Sequence, residues 1–389
     1  MVSDGRGLQA ATQLLANGTG PVAVDAERAS GYRYGQRAYL VQFRRQGAGT
    51  VLIDPIACPD LSGVDDALSG AEAVLHAAGQ DLPCLNEICY RPRLLFDTEL
   101  AGRLLGYPRV GLGSLVEEVL ALHLEKGHSA ADWSTRPLPA DWLRYAALDV
   151  EVLIELRDAL ARQLEAAGKM DWAFQEFAAV LATEPPPPRR DPWRRTSGIH
   201  RVRNRRNLAV VRELWQARDR IAQELDLSPG RVLPDSAIIE AARAEPKTAS
   251  ELTAIGPFTA RPARRYISDW LRALSRARKQ ADSALPEAAP PGDGPPPANR
   301  WAERDPEAAA RLAAARAAVA AIADEHTLPV ENLLQPDIVR RLCWHPPDDL
   351  GIATVAAELT RYGARPWQVE LTARPLAHGL QRLRDTGEG

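Results

Sequence analysis

The segment that decides the fold runs from residue 21 to residue 43 and reads PVAVDAERASGYRYGQRAYLVQF. The apolar residues at Pro21–Val24 lack helical spacing, and YLVQF at 39–43 is a second compact apolar run, so both are predicted to be strands. Side chains two positions apart on a strand share one face. Asp25 and Glu27 therefore project together, as two carboxylates that repel each other unless a cation lies between them.

Two further acidic segments follow along the chain. The stretch HAAGQDL carries Asp81, and ADWLRYAALDVEVLIELRDALARQLEAAG, 140–168, is predicted to be one helix because its apolar residues recur at three- and four-residue spacing. Tyr145 and Asp149 are one turn apart on this helix and share a face. Oxygen ligands without a His or Cys cluster favour Mg²⁺ or Mn²⁺. The four carboxylates therefore predict a centre at which two divalent ions clamp a phosphoryl displacement.

Each acidic segment also has a structural explanation. An Asp-x-Glu pair at a strand end is commonly a solvated edge, and a Tyr-x-x-x-Asp pair on an amphipathic helix is commonly a half-buried tyrosine beside a surface acid. Asp81 is also placed to cap a helix predicted to begin at Leu82. The order and context of the three segments together favour the metal site.

The ordered motifs resemble those of ribonuclease D and its relatives in the DEDD superfamily, tyrosine subclass. VAVDAERASGYRYGQRAYLVQF at 22–43 is similar to the first exonuclease motif, HAAGQDLPCL at 76–85 to the second, and DWSTRPLPADWLRYAALDVEVL at 132–153 to the third. Ala26 departs from the Thr that many relatives carry. A residue between two carboxylates on one strand face points away from them, so this departure leaves the ligand set unchanged.

The resemblance implies an α/β ribonuclease H-like exonuclease domain that releases nucleoside 5′-monophosphates from RNA 3′ ends. By resemblance, Asp25, Glu27, Asp81 and Asp149 hold two Mg²⁺ or Mn²⁺ ions, and the Tyr145 hydroxyl orients the attacking water. The expected substrates are transfer-RNA precursors and other small stable RNAs with single-stranded 3′ ends.

Two other functions remain open at this stage. Metal-site motifs do not distinguish ribose from deoxyribose, so a DNA exonuclease of the same superfamily is one alternative. A non-catalytic RNA-binding scaffold is the other, although retaining mutually repelling carboxylates argues against it.

Proline-rich stretches predict the domain boundaries, because EPPPPRR at 184–190 cannot continue a helix and 284–300 is rich in Pro and Gly. The amphipathic segments between them resemble the HRDC domain, a helical bundle shared by ribonuclease D and RecQ-type helicases. IAQELDLSPGRVLPDSAII at 221–239 aligns with IADEHTLPVENLLQPDIVR at 322–340, which predicts a second, degenerate HRDC-like bundle. The predicted order is an exonuclease domain at 1–184, a linker at 185–204, an HRDC domain at 205–283, a linker at 284–300 and the second all-α bundle at 301–389.

The net charge of −3 conceals a basic segment. Residues 189–220 contain eleven arginines against three acidic residues, which leaves a formal charge of +8. Arginine binds phosphate bidentately, and Trp193 and Trp215 offer surfaces for base stacking, so the segment is predicted to contact RNA. The alternative is a solvated linker whose arginines pair with the acidic catalytic domain. The candidate substrate-binding residues are Arg194, Arg195, Arg203, Arg205 and Arg206 here, and His76, Lys126 and Arg136 beside the exonuclease motifs.

Composition restricts the cellular setting. The 389 residues are 45% apolar, which is ample for the buried cores of two or three domains, and four cysteines without a Cys-x-x-Cys pair do not suggest a disulfide framework. No basic start precedes an apolar stretch, and no run approaches the ~18 apolar residues of a membrane span. The chain is expected to be cytoplasmic, without a membrane or an obligate protein partner.

Overall fold

The computed structural model describes residues 1–124, 127–128, 130–185, 187, 189–288 and 294–387. Lys126, predicted to contact phosphate, lies outside the described residues, as does the middle of the predicted second linker. Within the described ranges, no helix is both long enough and apolar enough to cross a membrane.

A mixed sheet forms the centre of the N-terminal domain. Its strand order is β3-β2-β1-β4-β5, with β1 antiparallel to β2 and parallel to β4. The predicted strands at 21–24 and 39–43 are confirmed, because they lie within β1 and β2. The strands are β1 (Thr19–Arg28), β2 (Ala38–Gln46), β3 (Gly49–Ile53), β4 (Glu72–Leu75) and β5 (Leu94–Asp97).

The prediction of one helix over 140–168 is wrong, because the structure has two helices that meet at Val152. The first packs Ala146 with Trp133 and Leu40, whereas the second buries its leucines in the main core, so each half follows a different partner. The helices of this domain are α1 (Gly5–Ala16), α2 (Ser62–Ala67), α3 (Leu82–Glu87), α4 (Thr98–Leu104), α5 (Leu112–Leu120), α6 (Ala140–Glu151), α7 (Leu153–Ala166) and α8 (Met170–Leu181).

Two helical groups follow, and both contain, in this order, a long helix, a four-residue helix and a helix of nine or ten residues. In the second group one further four-residue helix precedes the long helix. The two aligned sequence segments, 221–239 and 322–340, each cover the end of the long helix, the four-residue helix and the start of the third helix. The first group is α9 (Arg205–Leu225), α10 (Pro229–Val232), α11 (Asp235–Ala244), α12 (Ala249–Thr253), α13 (Arg261–Arg265) and α14 (Ile267–Lys279). The second is α15 (Trp301–Arg304), α16 (Pro306–Glu325), α17 (Val330–Leu333), α18 (Pro336–Trp344), α19 (Ile352–Arg361) and α20 (Pro366–Gly387).

The C-terminal group shares one apolar core with the exonuclease domain, whereas α9–α14 have a core of their own. Trp172 of α8 stacks on Trp367 of α20, with ring centroids 4.8 Å apart. The Lys169 ammonium donates hydrogen bonds to the backbone oxygens of Leu104 and His326, at 2.7 and 2.6 Å. Stacked rings and a satisfied buried ammonium fix the C-terminal helices against the sheet domain.

Candidate active site

Three of the four predicted carboxylate ligands meet in the structure. Asp25 and Glu27 project from β1 and Asp149 from α6, and one carboxylate oxygen of each lies within 4.8 Å of the others. The meeting follows from local geometry, since α6 packs across β1, β2 and β3 and presents the face that carries Asp149. Three oxygen donors at this spacing match the ligand set that a hard divalent cation takes.

The cluster is electrostatically unfavourable without a compensating cation. Burial, followed by the charge of Asp25, raises the pKa of Glu27 to about 9. The same two causes raise the pKa of Asp149 to about 7, and burial also raises the pKa of Asp25. Like charges held this close retain protons unless positive charge offsets them, which is what a metal site provides.

The fourth predicted ligand, Asp81, is buried but paired with an arginine instead. The Arg28 guanidinium lies 3.0 Å from Asp81 and donates a 2.5 Å hydrogen bond to the Gln80 carbonyl oxygen. The strand register shifts between Glu27 and Arg28, and such bulges re-aim a side chain. Burial, followed by the charge of Asp25, raises the pKa of Asp81 to about 8 against the lowering effect of Arg28. Asp81 makes no side-chain capping bond to α3, so the capping explanation is wrong.

Arg28→Gln is expected to bind Mn²⁺ about fivefold more tightly, because removing one nearby positive charge is worth ~1 kcal/mol. The same change leaves buried Asp81 without its partner, so the melting temperature of the metal-free protein should fall by several degrees. Isothermal titration with Mn²⁺ and thermal melts in chelator measure the two effects. The control is Arg361→Gln, which breaks an exposed ion pair with Glu358 on α19. Equal or weaker Mn²⁺ binding by Arg28→Gln contradicts the competition between Arg28 and the cation.

The turn that carries Asp81 is held by a residue that sequence reasoning missed. Asp97, buried at the end of β5, accepts backbone hydrogen bonds from Ala77 and Ala78 at 3.1 and 2.8 Å, and also caps α4. Ala77 has a positive φ of 59°, a strained conformation for alanine that these bonds help to hold. The available signal was an Asp at the end of an apolar strand followed by Thr-Glu, a helix-start pattern.

Gln42 is a second missed residue. It stands opposite Asp25 in the β1–β2 register, so both side chains lie on the same face of the sheet. Its amide is fully buried, and neither its nitrogen nor its oxygen has a partner among the described residues. A buried polar group without a partner beside a carboxylate cluster fits a site that takes up a hydrated cation. The signal was the single polar residue inside YLVQF.

Tyr145 lies beside the cluster, one turn before Asp149. Burial first, and the negative charge of Asp149 second, raise the pKa of its phenol, which remains protonated at neutral pH and interacts with Asp149 through a hydrogen bond. The segment before α6 packs on its ring. The His128 ring stands edge-on at 5.7 Å, and a Cβ on Gly127 would lie only 3.1 Å from the ring. This packing orients a neutral hydroxyl donor toward the carboxylates.

His76 and Arg136, two predicted substrate-binding residues, bond other parts of the protein. His76 bonds to the Thr98 hydroxyl at 2.9 Å and not to Asp81, and burial lowers its pKa to about 4, so it is neutral at pH 7. The Arg136 guanidinium bonds both carboxylate oxygens of Asp54 and three backbone oxygens, which occupies its five donors. Arg136 therefore fixes the segment leading into α6, and the structure leaves it no N–H for phosphate.

The basic segment is largely engaged in internal contacts. The guanidinium groups of Arg194, Arg205 and Arg206 donate hydrogen bonds to residues 280–287, which follow α14. Trp193 is buried in the core of α9–α14, so the prediction that it stacks on bases is wrong. Arg195 and Arg203 are exposed and have no partner among the described residues, which leaves them available for phosphate. Arg194, Arg205 and Arg206 therefore do not pair with the acidic catalytic domain.

Comparison with known proteins assigns the family. A model described as a 3′-5′ exonuclease matches residues 1–165, an HRDC domain model matches 207–274, and one described as a 3′ to 5′ exonuclease C-terminal domain matches 294–380. Ribonuclease D of Gluconacetobacter diazotrophicus is 31% identical over 338 residues, which cover 85% of this chain and 82% of that protein. The chain belongs to the ribonuclease D family. Ribonuclease D of Granulibacter bethesdensis is also 31% identical, over 68% of each chain.

Solved structures share the fold of this chain. The crystal structure of a protein from Bifidobacterium adolescentis superimposes with a TM-score of 0.90 at 38% identity, covering 98% of this chain and 96% of that one. Escherichia coli RNase D superimposes with a TM-score of 0.70 at 24% identity over 98% of each chain, which shows a shared fold. The predicted fold class, an exonuclease domain followed by a helical HRDC region, is confirmed.

Proposed function

We propose that this ribonuclease D family member removes nucleotides from RNA 3′ ends by hydrolysis at two divalent ions held by Asp25, Glu27, Asp81 and Asp149. The chain is a 3′–5′ exoribonuclease, and the metal mechanism is the proposed part. The observation that carries it is the convergence of three carboxylates within 4.8 Å, one of them buried and two half-buried, without His or Cys ligands in the group. Mg²⁺ and Mn²⁺ both suit such a set.

Each side chain has a distinct part in this proposal. Asp25, Glu27 and Asp149 would hold the divalent ions beside the scissile phosphate. The protonated Tyr145 hydroxyl positions the attacking water. Asp81 joins them by exchanging Arg28 for a cation. When bound, two divalent ions lower the pKa of a water and offset the charge that grows on the leaving 3′ oxygen. Glu27 is buried and Asp25 and Asp149 are half-buried, so these charges are screened less than charges on an open surface.

The proposed substrates are transfer-RNA precursors and other small stable RNAs with single-stranded 3′ ends, and the proposed setting is the cytoplasm. The relatives named ribonuclease D support an RNA substrate. A cavity of about 440 Å³ beside the carboxylates is lined by Glu27, Arg28, Tyr32 and Gln80, among others. Its volume falls within the ~300–1,000 Å³ typical of small-ligand sites, which suits one terminal nucleotide. The division into domains at 1–184, 205–283 and 301–389 is part of the proposal.

The test is incubation of the purified protein with 5′-labelled RNA and DNA of matched sequence, in Mg²⁺, Mn²⁺ or chelator. Release of 5′-mononucleotides from RNA, stepwise from the 3′ end and abolished by chelator, is the expected result. Preferential degradation of DNA would instead select the DNA exonuclease. Binding of RNA without hydrolysis under every metal condition would select the scaffold.

Tyr145→Phe is expected to lower kcat about 10- to 100-fold with little change in KM, because it removes one positioning hydroxyl and leaves the carboxylates intact. Single-turnover hydrolysis of a labelled RNA measures the chemical step directly. Tyr107→Phe is the matched control, because it removes the same group at a different place: the Tyr107 hydroxyl, in the loop after α4, donates a hydrogen bond to Gln163 of α7. A wild-type rate for Tyr145→Phe would remove the tyrosine from the mechanism.

A further inference from the structure

A basic groove lies on the HRDC bundle, between the end of α9 and α13. It has a volume of about 840 Å³. None of the residues that line it is acidic, and its apolar surface comes from Leu225, Leu227 and Val232. The other lining residues are Arg231, Thr259, Arg261, Pro262, Arg264, Arg265 and Tyr266.

The positive charge of this groove is not neutralised internally. Arg261, Arg264 and Arg265 are exposed, and none of them forms an ion pair among the described residues. Arg265 lies over the ring of Tyr266, 5.7 Å from its centroid, which leaves the guanidinium edge open to an anion. This contrasts with Arg194 and Arg206, whose guanidinium groups each bond an aspartate. Three unpaired guanidinium groups on one five-residue helix form a phosphate-binding edge.

Arg231 connects the groove to the active site. Arg231 lines the groove, donates a 2.8 Å hydrogen bond to the Gly31 carbonyl oxygen and lies 4.1 Å over the ring of Tyr32. Gly31 and Tyr32 in turn line the cavity beside Glu27. A chain that leaves the carboxylate site on this side therefore meets the groove next.

We propose that this groove binds the phosphodiester backbone of single-stranded RNA on the 5′ side of the nucleotide held at the carboxylates. The inference rests on the proposed function and assigns a second substrate-binding surface to it. Residues 1–184 carry 16 basic and 25 acidic residues, so the catalytic domain alone repels a polyanion. The unpaired arginines of α13 supply attraction, and the partly exposed Tyr266 and exposed Leu225 offer surfaces for bases.

The test compares two triple variants of the full-length protein that remove equal charge. One is Arg261→Gln/Arg264→Gln/Arg265→Gln in the groove, and the other is Arg195→Gln/Arg201→Gln/Arg203→Gln in the exposed part of the basic segment. Substrates are a 16-nucleotide RNA and a dinucleotide, which is too short to extend from the carboxylate site into the groove. Circular dichroism and thermal melts establish that both variants fold.

The groove variant is expected to raise KM for the 16-nucleotide RNA at least tenfold at unchanged kcat, and to hydrolyse the dinucleotide at the wild-type rate. RNA binding without hydrolysis is measured by fluorescence anisotropy in an Asp149→Asn background. The slope of log Kd against log salt concentration should be smaller by about 2 in the groove variant, because each of three lost phosphate contacts contributes about 0.7 to the slope. The segment variant should raise KM by a smaller factor than the groove variant does.

Two results would contradict the proposal that the groove binds RNA. One is an unchanged KM for the 16-nucleotide RNA in the groove variant. The other is an equal or larger loss in the segment variant, which would mean that total charge or the linker is responsible. Failure of the proposed function itself is distinguishable, because the wild-type protein would then hydrolyse neither RNA.

Discussion

Asp149→Asn is expected to lower the rate of mononucleotide release from RNA by about 10³-fold or more, a loss of about 4 kcal/mol of transition-state stabilisation. The amide keeps the shape of the carboxylate but loses the charge that holds a cation in the cluster with Asp25 and Glu27. The fold should survive, and the melting temperature of the metal-free protein should stay level or rise. The structural reason is that the substitution relieves the repulsion from Asp25 that helps to raise the pKa of Asp149 to about 7.

The measurement is single-turnover hydrolysis of a labelled RNA, together with Mn²⁺ titration and a thermal melt in chelator. Asp158→Asn is the matched control, an acid-to-amide change on the adjacent helix α7, where Asp158 is about half exposed and pairs with Arg157 at 3.1 Å. The control should retain wild-type hydrolysis and Mn²⁺ binding. Wild-type turnover by Asp149→Asn would remove this carboxylate from the site, whereas loss in both variants would point to a general effect of charge.

The residues of this site that sequence predicts are those whose positions follow from local periodicity. Asp25 and Glu27 alternate on a strand, and Tyr145 and Asp149 are one helical turn apart, so each pair is placed as soon as its element is assigned. Asp81 lies on an irregular turn held by Asp97 and Arg28. Its partner therefore depends on tertiary contacts that no spacing rule reports.

Charge in a sequence is visible, but the partner of each charge is not. Residues 189–220 have the highest density of arginine that sequence analysis identified, yet Arg194, Arg205 and Arg206 bond the segment after α14. Arg136 lies within the third motif, but its guanidinium group bonds Asp54, which is 82 residues away in the chain. The arginines of α13 were less conspicuous because they are few, but the fold leaves them unpaired. Whether a guanidinium group is free to bind phosphate therefore depends on its tertiary contacts.

Metal-free protein is expected to lose thermal stability as pH rises from about 5 to about 9, and Mg²⁺ or Mn²⁺ is expected to restore it. The folded-state pKa values of Glu27, Asp81 and Asp149 are raised to about 9, 8 and 7, above ordinary values near 4. Between the ordinary and the raised pKa, the folded state binds more protons than the unfolded state, so the free energy of unfolding falls as pH rises. Below about pH 4 these groups are protonated in both states and contribute no slope.

A bound divalent cation reverses this pH dependence, because it stabilises the ionised carboxylates that protons otherwise neutralise. Melting temperatures in chelator and in saturating Mn²⁺ should therefore differ by several degrees at pH 9 and much less at pH 5.5. Glu27→Gln provides the internal test, since it removes a group whose pKa is raised to about 9 and one metal ligand together. Its metal-free melting temperature should fall less steeply with pH, and Mn²⁺ should raise it less. A metal-induced gain that is equal at both pH values would show that the cation does not bind these carboxylates.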